Sequence, residues 1–181
     1  KITDEHAAYA EQSFHFSGDF TSSLCDVARR HGLTPNTFLQ GAWAVVLSRY
    51  SGEQDVVFGS TRAGRHPGIE GASSMVGLLI HTVPVRIRVD PGRQLLDWLE
   101  DLRSRWVGLR EHDRTPLSDI HRWSQVPPDQ PLFESLLTFE NYELNFALQE
   151  KLPRKVNAEF RLVGRTDYPL AVTGTLRPEL R

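Results

Sequence analysis

The residues best placed to do chemistry in this sequence are His81 and Thr82. They form a polar pair inside an otherwise apolar run, Val76-Gly77-Leu78-Leu79-Ile80-His81-Thr82-Val83-Pro84-Val85-Arg86. A polar side chain in a buried run costs free energy unless something satisfies it, so such a pair marks a candidate site. His81 shares the parity of Val83 and Val85 and faces the core if the strand stays regular. A satisfied core histidine and a histidine lining a substrate passage both fit that position. As a lone catalytic base His81 is weak, because no neighbour in sequence orients its ring or supplies an oxyanion donor.

Other constellations fail on residue type or spacing. Gly59-Ser60-Thr61-Arg62-Ala63-Gly64-Arg65-His66 follows a predicted strand but lacks the Lys and Ser/Thr of a phosphate loop, and Pro67-Gly68 is a poor helix start. Gly71-Ala72-Ser73-Ser74-Met75 lacks the second glycine of a nucleophile elbow. The seven histidines are too dispersed to suggest a zinc site, and no metal is expected. Glu111, His112 and Asp113 are adjacent, so on a helix they point in different directions. His112 reads as a surface residue favoured by a helix C-terminus. Cys25, the only cysteine, rules out an internal disulfide and suits a reducing cytosol. On its predicted helix it reads as a small hydrophobe rather than a nucleophile.

With 181 residues, 39% of them hydrophobic and 24% charged, the composition is that of a globular domain or one lobe of something larger. A formal charge of −2 gives no electrostatic reason to expect nucleic acid. No apolar run reaches the roughly 20 residues that span a bilayer, so no membrane partner is expected. The polar start Lys1-Ile2-Thr3-Asp4-Glu5 is unlike a secretory signal, and a cytoplasmic location is expected. The absence of an initiator Met suggests a piece of a longer polypeptide.

The elements that must position the pair are predicted as follows. Residues 1–13 are polar and read as a linker or crossing segment. Thr21-Ser22-Ser23 offers cap oxygens for a helix with Leu24, Val27 and Ala28 inward, closed by Gly32. Thr34-Pro35 starts a second helix with Phe38, Leu39, Ala42, Val45 and Val46 as its apolar stripe, ended by Ser51-Gly52. Residues 55–59 read as a short buried strand, and residues 60–74 as a loop. The run containing His81 follows as a strand from the sheet centre toward its rim, with Pro84 marking an edge or bulge. A third helix starts at Asp90-Pro91 with Leu95, Leu99, Leu102, Trp106 and Leu109 inward and Trp98 flanking. A shorter helix runs from Thr115-Pro116 through Ile120, a strand covers Leu132–Tyr142, and residues 143–159 form an excursion. Arg161–Val163 and Leu170–Leu176 complete the pattern as a strand or hairpin. The sum is an α/β layer with long crossovers and a sheet that need not be purely parallel.

With these elements placed, the chain resembles the C-terminal half of a condensation domain from a nonribosomal peptide synthetase. Val76–Arg86 resembles the family's Ile-Gly-x-Phe-Val-Asn-Thr-Leu-Pro-x-Arg strand, and Glu111–Leu117 its His-Gln-Asp-x-Pro-Phe turn. Pro131-Leu132-Phe133-Glu134, on through Phe139 and Asn141, resembles its Asn-Pro-Leu-Phe-Gln strand. The likeness covers roughly residues 14–176 and implies residues 14–181 as one lobe. The fold it implies is chloramphenicol acetyltransferase-like, with a mixed β-sheet, flanking helices and long crossover segments. Its implied activity is attack of an acceptor amine on a donor thioester, both tethered to carrier proteins. The resemblance places Gly77, His81 and Thr82 at the substrate tunnel, with His81 standing where the family has Asn.

The family's His-His-x-x-x-Asp-Gly motif belongs to the N-terminal lobe, and no two histidines are adjacent here. No catalytic residue is therefore assigned, and this chain alone is expected to be inactive. Implied partners are the N-terminal lobe, donor and acceptor peptidyl carrier proteins and a neighbouring adenylation domain. The phosphopantetheine arm would be carried by those carrier proteins, with no cofactor held by this chain. The alternative is a lobe of a non-catalytic condensation-like domain that recruits partner enzymes to carrier-bound peptides.

Overall fold

Ser17 opens the first element: its hydroxyl accepts the Phe20 N–H, and α1 runs Gly18–Arg30. The computed structural model describes residues 10–64, 70–71, 74–112, 114–140, 166–176 and 179–181. The cap lies upstream of the Thr21-Ser22-Ser23 start that sequence suggests, because Ser17 with Asp19 in the first turn is the better anion-bearing N-terminus. Thr21 is instead buried inside the helix, its hydroxyl bonded to the Ser17 carbonyl at 3.0 Å. Ala28 faces inward as expected, and Gly32 takes φ 64° just past the helix end.

The second helix, α2 (Pro35–Ser51), begins and ends where the sequence places it. Thr34 caps it, Pro35 occupies the first turn, and Gly52 stops it in the left-handed conformation at φ 77°. Its buried face matches the predicted one only in part: Phe38 and Leu39 pack against the core. Thr37, Gln40, Gly41 and Ala44 point inward, whereas Ala42, Val45 and Val46 are exposed. A helix apolar on most sides does not reveal its phase; the close neighbour does. At Gly41 a Cβ would sit 2.8 Å from the Leu99 side chain, so the glycine lets the helix carrying Leu99 approach.

Four strands follow among the described residues: β1 (Asp55–Arg62), β2 (His81–Arg88), β3 (Ser135–Glu140) and β4 (Leu170–Thr175). Their spatial order is β2-β1-β3-β4, with β1 and β2 antiparallel and the other two pairings parallel, a mixed sheet. β1 is longer than predicted and takes up Ser60, Thr61 and Arg62, so these three residues are extended strand rather than loop. β2 is shorter than predicted. Residues 75–80 lie outside the sheet, beyond its rim, and Val76 and Leu78 are almost fully solvent-exposed (103% and 94%). Of the predicted Leu132–Tyr142 strand, Ser135–Glu140 forms; Tyr142, Arg161–Val163 and residues 143–159 lie outside the described residues.

The edge assigned to Pro84 follows from the ladder. Val89 donates its N–H to the Gln54 carbonyl at 2.7 Å, continuing the register Asp55↔Arg88 by one pair. Bonded and non-bonded pairs alternate in an antiparallel ladder, so Ile87, Val85 and Val83 turn their backbone groups to β1. Thr82, Pro84, Arg86 and Arg88 turn theirs outward, where the N–H that Pro84 lacks is not missed.

Helix α3 (Leu95–Gly108) continues into a 3-10 turn (Leu109–Glu111), and α4 spans Leu117–Trp123. α3 starts later than Asp90-Pro91, because the Asp90 carboxylate accepts the Gly92 N–H at 2.9 Å and closes a turn there. Leu95 is exposed and Trp98 buried, a rotation of the predicted stripe. The Trp98 indole N–H donates to the outward Arg88 carbonyl at 2.9 Å, which locks α3 against the end of β2. Phe58, Leu99, Leu137, Val83, Val85 and Ile87 form the centre of the core between sheet and helices. No helix among the described residues is long and apolar enough to cross a membrane.

Candidate functional site

His81 is the first residue of β2 and stands opposite Arg62, the last of β1. It keeps the inward parity of Val83 and Val85 but is only half-buried, since the sheet ends here. The preceding loop is pinned by Gly64, whose φ is 61° and where any Cβ would collide with the Leu79 carbonyl oxygen. That carbonyl also lies 3.3 Å from His81 Nδ1. A carbonyl can only accept, so the proton sits on Nδ1. His81 Nε2 is buried and has no hydrogen-bond partner among the described residues.

His81 and Thr82 line a cavity of about 530 Å³ together with Leu78, Ile80, Arg114 and Tyr168. Tyr168 stacks on Phe133 with ring centroids 5.3 Å apart. Phe133 in turn lies over Gly59, where a Cβ would collide with its ring. Burial, helped by the nearby Asp167 charge, pushes the Tyr168 phenol above its ordinary range and keeps it a neutral donor near pH 7. The described lining thus offers an imidazole, two hydroxyls (Thr82 and Thr115), a phenol and a guanidinium, and no carboxylate or thiol. Such a set can orient a polar substrate by hydrogen bonds; it holds no nucleophile–base–orienter constellation. Among the described residues no group of His, Cys, Asp and Glu could hold a metal ion.

The structure therefore brings together two of the three residues singled out in sequence. Gly77 lies on the exposed segment before β2 and is not part of the cavity lining. His112 is exposed at the end of the 3-10 turn, and Cys25 is half-buried on α1. Sequence reasoning missed Tyr168 and Gly64, and it gave Arg114 no role. Tyr168 depends on Phe133, 35 positions earlier, which leaves no local pattern to find.

Comparison with known proteins places this geometry in context. Residues 2–177 match the family model described as "Condensation domain". Over 168 residues the chain is 44% identical to a linear gramicidin synthase of Brevibacillus parabrevis, covering 93% of this chain but 2% of that protein's length. Among solved structures, holo T3CT superposes with a TM-score of 0.66 at 24% identity, over 82% of this chain and 35% of that one. The condensation domain of the monacolin K polyketide synthase MokA superposes with a TM-score of 0.61 at 20% identity, over 73% of this chain and 31% of that one. The mixed sheet with its flanking helices is thus the chloramphenicol acetyltransferase-like fold of these domains, and the chain belongs to the condensation-domain family.

Proposed function

We propose that residues 14–181 are the C-terminal lobe of a nonribosomal peptide synthetase condensation domain and that the His81 cavity is one wall of its substrate tunnel. The observation that carries this reading is His81, which lines the cavity and whose buried Nε2 has no hydrogen-bond partner among the described residues. Two further facts support it. The matched part of the chain covers about a third of each solved chain (35% and 31%), as one part of a larger unit does. Val76 and Leu78 are apolar yet stand in solvent beside the cavity, as residues do when a second wall is to cover them.

In this reading the acceptor's amine nitrogen attacks the donor's thioester carbonyl. A C–N bond forms, the C–S bond breaks, and the thiol leaves on its carrier with a proton. His81 Nε2 accepts a hydrogen bond from the substrate and Tyr168 donates one, so both are positioning residues. The proton-handling histidine belongs to the other lobe, and the 181 residues alone form no amide. Gly77 gives the segment between Val76 and Leu78 room to bend at the tunnel mouth. Donor and acceptor carrier proteins, each with its phosphopantetheine arm, and an adenylation domain are the partners, in the cytoplasm.

The test is His81→Ala in the complete protein, assayed by single-turnover amide formation with carrier-loaded substrates and by urea unfolding. The expected outcome is roughly tenfold slower turnover, the scale of one or two lost hydrogen bonds, with an unfolding midpoint unchanged. Unchanged turnover with a lowered midpoint would make His81 a core residue and remove the tunnel assignment.

A further inference from the structure

The described lining of the His81 cavity carries one full charge, the guanidinium of Arg114. Arg114 is exposed, and it has no ion-pair or hydrogen-bond partner among the described residues. Unpaired arginines are ordinary on an open surface, where water solvates them. This one is set apart by its surroundings. Leu78, Leu79, Ile80, Pro116 and Leu117 share the same lining, so a partner charge entering here meets less water than on an open face.

The other polar groups of the lining also favour an anion. Thr82 and Thr115 bring hydroxyls, and the Tyr168 phenol is a neutral donor near pH 7. The His81 Nδ1 proton is already taken by the Leu79 carbonyl. No carboxylate is part of the described lining; the Asp167 charge acts on the Tyr168 phenol from outside it. Donors therefore dominate, and a carboxylate, which only accepts, is their complement. A guanidinium can hold both of its oxygens at once. The cavity's volume of about 530 Å³ is within the range of small-molecule sites.

Which anion this is follows from the tunnel reading above, on which this step rests. There His81 and Thr82 stand at the reacting groups, and the phosphate of a carrier arm is the whole length of that arm away. An anion sharing the cavity with His81 is then a side chain of the acyl group itself. We propose that Arg114 is a specificity residue that selects a carrier-bound aminoacyl group with an acidic side chain over its carboxamide counterpart.

The probes are the pantetheine amides of aspartate and asparagine, and of glutamate and glutamine, each joined through the α-carboxyl. They are titrated into the complete protein by isothermal calorimetry. Within each pair a carboxylate against a carboxamide is the one difference. At least one acidic probe should bind roughly fivefold tighter than its carboxamide, the scale of a partly exposed ion pair, and added salt should shrink the gap. Arg114→Gln should abolish the preference and leave the carboxamides unchanged, while Arg114→Lys should keep part of it. Because Arg114 is exposed, neither change should move the unfolding midpoint. His81→Ala should weaken all four probes alike. Equal affinity within both pairs, or a preference that survives Arg114→Gln, overturns the proposal while the tunnel reading stands. So does a phosphorylated carboxamide probe that gains affinity from its phosphate only when Arg114 is present, since Arg114 then belongs to the carrier arm. Binding of none of the probes would take the tunnel reading down as well.

Discussion

Residues 75–80 and residues 83–88 are neighbouring pieces of one apolar run, and they finish in opposite environments. Val83, Val85 and Ile87 are in the core, paired through the register with Ser60, Phe58 and Val56. Val76, Leu78 and Ile80 are in water. The first group has alternating polar residues and a strand to pair with; the second has no such alternation and joins no strand among the described residues. Between them, at the last two rungs of the ladder, stand His81 and Thr82. Apolar character without an alternating partner thus marks a surface awaiting cover, while alternation marks a sheet the chain completes for itself.

The comparison is broken most forcefully at Phe58, which is fully buried at the centre of the paired half. Phe58→Ala should destabilise the complete protein's lobe by about 3–5 kcal/mol, through lost transfer energy and the cavity left behind. Urea unfolding followed by tryptophan fluorescence checks this. An effect below about 1 kcal/mol would mean that the paired half is as loosely held as the rim.

Gly59 joins the two environments. Its Cα lies against Phe133, and Phe133 carries Tyr168 at the cavity. Gly59→Ala should cost about 1–3 kcal/mol by overpacking. It should also shift the Tyr168 ring, and amide formation should slow beyond what the stability loss accounts for. The decisive readout is turnover at a temperature where the variant is fully folded. Normal turnover there would separate Tyr168 from the site.

At the rim the expected sign reverses between stability and function. Leu78→Ser removes an exposed apolar residue, so the unfolding of the 181-residue chain should change by less than about 0.5 kcal/mol. In the complete protein the same change should lower both stability and amide formation, if the second wall covers Leu78. An equal, negligible effect in both would leave Leu78 solvent-facing in the whole protein.

What could be read in advance divides along the same line. The caps of α2, the parity of β2 and the edge role of Pro84 were legible because each depends on residues a few positions apart. The N-cap at Ser17, the buried face of α2 and the inward Trp98 were not. The last two are decided by neighbours outside the helix turn: Gly41 admits Leu99, and Trp98 donates to the Arg88 carbonyl. Ser17 is one of several local hydroxyls, chosen with Asp19 in its first turn. The site followed suit. His81 and Thr82 stood out as polar residues in an apolar run. Tyr168 required a stacking partner that only the fold supplies.

The smallest effect is expected at the outer end of the paired half, where Arg86 meets Asp55 across the strands at 2.7 Å. The hydrogen bond from Arg86 is the main cause holding the Asp55 carboxyl below its ordinary value; partial burial opposes it, and the charges of Arg86 and Arg88 add to it. A carboxyl depressed in the folded state adds stability that is fully present above its unfolded pKa of about 3.9. That contribution is lost as pH falls through the lower folded value. Arg86→Ala should therefore unfold slightly more easily than wild type at pH 7, and the gap should close at acid pH. Because both side chains reach solvent, salt should close it as well. Urea midpoints of the two proteins at pH 7 and at acid pH, with and without added salt, make the test. A gap that persisted in acid would assign the loss to the packing of the Arg86 stem along β2 rather than to its charge.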